Sequence, residues 1–163
     1  APSWKYLPRF QAMDKAGKLD APAKAILNVV TDRYFREAGG PTVDSSALLK
    51  AQTMSWALTY FLMQRHTDGM LRYFQELSNL PRDMPLDENA YFLAFVRAFQ
   101  LVDPGQASDL SRIKGDDINL LKMKTFGDEW FTEIRNAQLE FNEATVDAIK
   151  AFNERFQRRR PGQ

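Results

Sequence analysis

Apolar residues recur at intervals of three and four along most of the chain, and this spacing constrains the fold more than any other feature of its 163 residues. Such spacing places apolar side chains along one side of an α-helix, whereas a strand would alternate at every second residue. Strong alternation occurs nowhere. Glycine and proline, which end helices, divide the chain into pieces of ordinary helix length. The pattern predicts an all-α, single-domain bundle of five to seven helices.

The N-terminal segment differs from the rest of the chain. Residues 1–19 contain aromatic residues, prolines and a glycine without clear helical spacing, which predicts an extended aromatic arm. The helical domain is expected to cover residues 20–160, followed by a short tail at 161–163. Its first helix is predicted to begin at the potential cap Asp20 and to run without interruption to the Gly-Gly-Pro sequence at 39–41.

The next predicted helix is apolar on nearly all sides. It opens near Asp44, and Trp56 lies at its centre. A helix with this composition is typically buried, so we expect it to be the central helix of the bundle, with Trp56 in the core. Two further helices are predicted from the apolar spacing at 70–77 and 91–99.

The C-terminal third is predicted to contain the longest helix. Residues 106–127 give only short helical stretches, around Leu110 and Leu120, the second closed by Gly127. From residue 128 to about residue 159, apolar residues recur at helical spacing without an internal glycine or proline. We therefore expect one long C-terminal helix there.

The residue types present exclude several kinds of active site. The absence of cysteine excludes disulfides, thiolate metal sites and a cysteine nucleophile. The single histidine, His66, cannot supply the two histidines of an HExxH zinc site or of a di-iron bundle. Neither a phosphate-binding glycine loop nor a GxSxG elbow is present. We therefore expect no catalytic residues, no bound metal and no cofactor.

Charge and hydropathy limit the partners. The 22 basic residues nearly balance the 21 acidic ones, and a net charge of +1 gives no clear indication of nucleic-acid binding. No apolar run approaches the roughly 20 residues that span a bilayer. The start at Ala1 rather than Met, with no cysteine, is compatible with an extracytoplasmic location after removal of a signal peptide.

Three groups of residues are candidates for contacts with other molecules. Aromatic residues of the arm and of the long helix are candidates for protein contacts: Trp4, Tyr6, Phe10, Phe141, Phe152 and Phe156. A basic cluster near the C-terminal end is a candidate for anion contacts: Arg155, Arg158, Arg159 and Arg160. His66 is a candidate for a polar role at a cleft. Its position at a helix end would equally explain it, since a protonated histidine is stabilised there by the helix dipole.

Three segments carry a known pattern of helix-packing residues. Residues 51–63 contain Ala-Gln followed by Trp, Leu and Phe-Leu, residues 68–77 place aromatics near the middle of a helix, and residues 126–134 place Phe-Gly shortly before Trp. In this order the segments resemble the helical region that follows the catalytic motif in gluzincin-type (peptidase MA-like) HExxH metallopeptidases, and a bacterial branch of unknown function in particular. The resemblance covers about residues 20–135. HExxH itself is absent, so no zinc ligand or general base is transferred to this chain.

The resemblance implies that the chain is either the helical part of a longer peptidase-like protein, in which Trp56 and Tyr60 would support a catalytic lobe, or a relative that kept only the scaffold. We therefore expect a non-catalytic interaction or structural module whose partner is another protein or the missing catalytic lobe. Two alternatives stay open. One is a hydrolase with a site around His66 and a carboxylate such as Asp68 or Glu129. The other is an anion-binding module that uses the basic cluster.

Overall fold

A computed structural model describes residues 1–39, 44–80, 88–103 and 115–139, and the structural statements below concern these residues. They form seven α-helices: α1 (Leu7–Lys15), α2 (Pro22–Val30), α3 (Arg33–Ala38), α4 (Ser45–Arg65), α5 (Thr67–Ser78), α6 (Glu88–Ala98) and α7 (Leu120–Asn136). A 3-10 turn at Gly115–Asp117 precedes α7, and Val102 and Ile118 form an isolated β-bridge. The chain is an all-α, single-domain bundle, as the apolar spacing predicts.

The central helix is α4, as expected. The Asp44 carboxylate caps its N-terminus by accepting hydrogen bonds from the backbone N–H groups of Ser46 and Ala47, at 2.8 and 3.2 Å. The helix contacts α1, α2, α3, α5 and α7. Its buried residues, among them Met54 and Phe61, therefore form the middle of the core.

Trp56 lies at the edge of the core and not at its centre. It is partly buried and stacks between Tyr6 and Tyr60, with ring centroids 6.0 and 5.5 Å away. The fully buried tryptophan is Trp130 of α7. The expectation for Trp56 was wrong because α4 is apolar on nearly all sides, so its pattern does not show which side faces the centre of the bundle.

The N-terminal segment is helical, so the predicted extended arm is a second correction. α1 has a proline in its first turn, where the missing N–H would have no partner within the helix in any case. It ends at Lys15, and Gly17, two residues farther along the chain, has a φ of 65°, which glycine adopts without steric cost. Leu7 and Phe10 are buried in the core. The pair has helical spacing, but the more numerous aromatics around it obscure that signal.

The predicted single helix from Asp20 is divided into α2 and α3. Asp32 adopts a left-handed conformation with φ of 60°, which a helix interior does not allow. The Thr31 hydroxyl donates to the Leu27 carbonyl at 2.7 Å, which helps to close the last turn of α2. Short polar residues of this kind compete with helical hydrogen bonds, and here they end the helix.

Asp20 is not a helix cap. No side chain caps α2, and the Asp20 carboxylate instead accepts hydrogen bonds from the Tyr34 hydroxyl at 2.7 Å and from Lys50 Nζ at 3.0 Å. The residue therefore connects the start of α2 to α3 and α4.

The last described helix begins earlier and ends earlier than predicted. α7 starts at Leu120 and stops at Asn136, and the next residue, Ala137, is extended. The amide of Gln11 donates to the Ala137 carbonyl at 3.2 Å, so a contact with α1 fixes the chain after the helix. Helix propensity, the basis of the prediction, is a weak constraint beside such contacts. Residues 140–163 and Leu110 lie outside the described residues.

Gly127 is inside α7 and does not close a helical stretch. A Cβ atom at this position would lie 2.8 Å from Cβ of Pro22 and 3.0 Å from its carbonyl carbon. The missing side chain therefore allows α7 to approach the first turn of α2. Packing between these two helices explains why a residue with poor helix propensity lies in a helix interior.

Candidate functional site

Large apolar side chains are exposed in five parts of the described chain. These residues are Trp4, Met63, Leu71, Phe74, Tyr91, Leu120 and Leu121. Trp4, Met63 and Tyr91 occur singly, whereas Leu120 and Leu121 are consecutive residues at the start of α7. Leu71 and Phe74, exposed by 57% and 53%, are three residues apart on α5 and are therefore neighbours on the helix surface. We call this pair the α5 outer surface.

The opposite side of α5 packs against α6, which determines the orientation of the outer surface. The rings of Tyr73 and Phe95 meet edge to face at 5.5 Å, and Arg97 Nε lies 2.8 Å from Glu76 Oε2. Gly69 allows close approach, since a Cβ atom there would lie 2.5 Å from the ring of Phe99. These contacts fix α5 with the α5 outer surface directed away from α6.

The sequence contains a signal for the α5 outer surface, namely the width of the apolar arc on this helix. At about 100° per residue, the apolar residues between 70 and 77 span an arc of about 160° around α5. Packing against a core needs an arc of roughly 100°. Leu71 and Phe74 lie toward one edge of the arc, so an excess of apolar surface could have been predicted there.

The N-terminal aromatic residues have three different environments. Trp4 is 77% exposed and remains available for a partner. Tyr6 is partly buried against Trp56. Phe10 is fully buried, with its ring 5.3 Å from that of Phe131, so its prediction as a contact residue was wrong.

The remaining predicted contact residues lie in the part of the chain that the structure does not describe. They are Phe141, Phe152, Phe156, Arg155, Arg158, Arg159 and Arg160.

His66 connects α4 to α5. Its backbone N–H donates to the Leu62 carbonyl at 2.8 Å, and its own carbonyl accepts the first hydrogen bond of α5. The imidazole ring lies among phenylalanines of α4, α7 and the end of α6. The ring centroids of Phe61, Phe126 and Phe99 are 4.9, 5.0 and 6.2 Å from that of His66.

This environment favours the neutral imidazole. Burial lowers the pKa of His66 below its ordinary value, and the nearby Glu129 carboxylate opposes that shift only in part. A protonated ring interacting with the end of α4, as the sequence suggested, is therefore not the form that the surroundings stabilise.

His66 and Glu129 line one cleft, of about 610 Å³, between α4 and α7. Two other carboxylates line it as well, but each has its own cation: Arg65 lies 3.0 Å from Glu133, and Lys124 lies 2.6 Å from Asp128. Asp68, the other carboxylate predicted beside His66, does not line this cleft. The structure therefore brings His66 together with Glu129 only.

Among its described lining residues, the cleft has a potential base but no activated nucleophile. Thr125 and Thr132 line it, yet no hydroxyl group of the described residues forms a hydrogen bond with the imidazole. A nucleophile and its base normally lie within about 3.2 Å of each other. Within residues 1–39, 44–80, 88–103 and 115–139, no group of three or more potential ligands is placed to hold a metal ion. No described helix combines the length and apolarity that a bilayer crossing requires.

Comparison of the chain with protein-family models, curated proteins and solved structures finds no match. The resemblance to gluzincin-type peptidases therefore depends on the three segments alone. The first two form much of α4 and α5, and the third lies within α7. Since α4 contacts both α5 and α7, the three segments are parts of one packed unit.

Proposed function

We propose that this chain is a non-catalytic helical interaction module that binds another protein through the α5 outer surface. The exposure of Leu71 and Phe74, side by side on a helix that is fixed from the other side, carries the proposal. Each Å² of apolar surface removed from water contributes about 25 cal/mol of stabilisation, so a partner that covers this pair forms a more stable complex. Aromatic residues are also enriched in protein interfaces.

The partner that we propose for this surface is a peptidase-like catalytic lobe. We infer that the module belongs to a peptidase-like protein or assembly and that its partner is the catalytic lobe. The α5 outer surface supports this inference because it lies within the second of the three gluzincin-like segments. The gene and its neighbours provide the test: we expect an HExxH sequence in the same reading frame or in an adjacent one. Its absence from both would overturn the peptidase assignment and leave the α5 outer surface as a site for a different protein.

Binding at the α5 outer surface can be tested in cells that naturally produce the protein. Phe74 is replaced by the photoreactive analogue benzoylphenylalanine, which keeps an aromatic ring at an exposed position, and the cells are irradiated. We expect one discrete cross-linked product. Lys18, an exposed residue between α1 and α2, provides the matched control position and should give none. No product at position 74, or the same products at both positions, would contradict the proposal.

A second candidate, a hydrolase, is favoured by one observation. His66 and Glu129 line the same cleft, and the imidazole is neutral near pH 7, as a general base must be. The candidate predicts that hydrolysis of model esters or peptides disappears in His66→Gln and decreases in Glu129→Gln. An interaction module would show no hydrolysis in any of the three proteins. The anion-binding alternative that uses Arg155, Arg158, Arg159 and Arg160 stays a prediction from the sequence.

A further inference from the structure

A second cleft lies between α2, α3 and α4 and is lined mainly by polar side chains. Its volume is about 370 Å³. Two of the polar side chains that line it, Asn28 and Tyr34, are each only 5% exposed, so the fold places polar groups where apolar side chains would otherwise be expected. Burial and the hydrogen bond to Asp20 raise the pKa of Tyr34, which therefore remains a hydrogen-bond donor.

Two lysines of the cleft share one carboxylate. Lys24 Nζ and Lys50 Nζ lie 3.3 and 3.0 Å from the oxygens of Asp20. The same carboxylate also accepts a hydrogen bond from the Tyr34 hydroxyl. Each ammonium group has three N–H donors, and the contact with Asp20 uses only part of them. Both lysines therefore have donors left for another acceptor.

Arg33, the arginine of the cleft, likewise uses only part of its donors in an ion pair. Arg33 uses its Nε to contact Glu88 at 2.5 Å, and Arg36 contacts the other oxygen of the same carboxylate at 2.6 Å. The terminal amino groups of Arg33 are not part of that contact. Glu37 also lines the cleft and adds a second negative charge to that of Asp20. Among the described residues, those that line the cleft carry three cations (Lys24, Arg33, Lys50) and two anions (Asp20, Glu37), which is a net charge of +1.

We propose that this cleft binds a small molecule through an oxyanion group, either phosphate or carboxylate, with Lys24, Arg33 and Lys50 as donors. An anion is favoured over a cation because donors outnumber free acceptors, and the Asp20 carboxylate is already surrounded by three donors. Guanidinium and ammonium groups match phosphate and carboxylate oxygens. The volume is near the lower end of the range for small-molecule pockets, which favours a compact ligand. None of the described residues that line the site belongs to the α5 outer surface.

The experiment measures thermal unfolding of the full chain in sodium phosphate and in sodium succinate, each against sodium chloride at the same ionic strength. A ligand that binds the folded state raises the midpoint in proportion to RT ln(1 + [L]/Kd). We expect a saturable increase with at least one of the two anions, and the tighter of them identifies the ligand class. No increase beyond that in sodium chloride would overturn the proposal.

Two matched variants locate the effect. Lys24 is a mostly exposed lysine paired with a carboxylate four residues away, so Lys24→Gln should fold normally. Lys124 forms the same kind of pair with Asp128 outside this cleft. We expect Lys24→Gln to raise Kd about tenfold or more, since a charge-assisted hydrogen bond is lost, and Lys124→Gln to leave Kd unchanged. Equal binding by both variants would place the anion elsewhere and contradict the proposal.

Discussion

Trp56 and Trp130 both lie in helices with many apolar residues, but their surroundings differ. Trp130 is fully enclosed and its ring lies 4.9 Å from that of Phe131, edge to face. Trp56 stacks between two tyrosines at the edge of the core. The two side chains should therefore contribute unequally to the free energy of unfolding.

Trp130→Ala should lower the free energy of unfolding by about 3–5 kcal/mol, the usual effect of truncating a fully buried aromatic residue. Trp56→Ala should lower it by about 1–3 kcal/mol, because it removes two ring contacts and leaves a site that water can partly fill. Urea unfolding followed by circular dichroism measures both values. A larger loss for Trp56→Ala would mean that Trp56 is more completely enclosed than Trp130, and it would contradict the structure.

Protonation of His66 in acid should lower the free energy of unfolding. Because burial lowers its pKa in the folded state, folding favours the neutral form. The resulting stabilisation is present above the unfolded-state pKa of about 6.5 and is lost as the pH falls through the lower, folded-state pKa. Proton NMR of the single imidazole should give a pKa below 6.5. A value above 6.5 would contradict the aromatic environment of the ring.

Glu129→Gln provides the control for this titration. The carboxylate raises the pKa of His66, so its removal should lower that pKa further. Asp68→Asn, at a residue that does not line the cleft, should have a smaller effect. An equal effect of both substitutions would show that Glu129 has no special relation to the imidazole.

At the scale of the helices, close approach between two backbones explains why glycine occupies position 127. α7 reaches the first turn of α2 only because residue 127 lacks a side chain. Alanine has the higher helix propensity, by about 1 kcal/mol, so propensity alone would make Gly127→Ala stabilising. The contact with the Pro22 backbone acts in the opposite direction and should be the larger effect.

Gly127→Ala should therefore lower the free energy of unfolding by about 1–3 kcal/mol, the range for overpacking of a filled core. Gly115→Ala is the matched control, because a Cβ atom there meets nothing within 4 Å. It should change stability by less than about 0.5 kcal/mol. Thermal or urea unfolding measures both. An unchanged or more stable Gly127→Ala would mean that α2 and α7 are farther apart than described.

Helix existence was predictable from the sequence, whereas several helix ends were not. The apolar spacing predicted α4, α5 and α6 because their periodic pattern is long or ends at strong breakers. The division between α2 and α3 depends on the conformation of Asp32, and the end of α7 accompanies a contact with Gln11, 126 residues away from Ala137 in the chain. Contacts of that kind are not encoded in local spacing.

At the scale of the whole molecule, the candidate sites differ in how far the sequence could predict them. The α5 outer surface follows from the width of an apolar arc on one helix. The charged cleft does not, because its Asp20, Tyr34 and Lys50 are 14 and 16 residues apart and meet only when three helices pack. His66 was predicted at a cleft, but its neutral state depends on phenylalanines from three parts of the chain.

The proposed function requires that Leu71 and Phe74 are not needed for the fold and are therefore free to bind a partner. The most direct measurement is the free energy of unfolding of the double variant Leu71→Gln/Phe74→Gln, with Tyr73→Gln on the inner side of the same helix as control. Glutamine has good helix propensity, so the double variant should lose less than about 1 kcal/mol. Tyr73→Gln should lose roughly 2 kcal/mol or more, because its ring packs against Phe95. A loss in the double variant as large as that in Tyr73→Gln would mean that Leu71 and Phe74 belong to the core of the chain itself, and it would contradict the account.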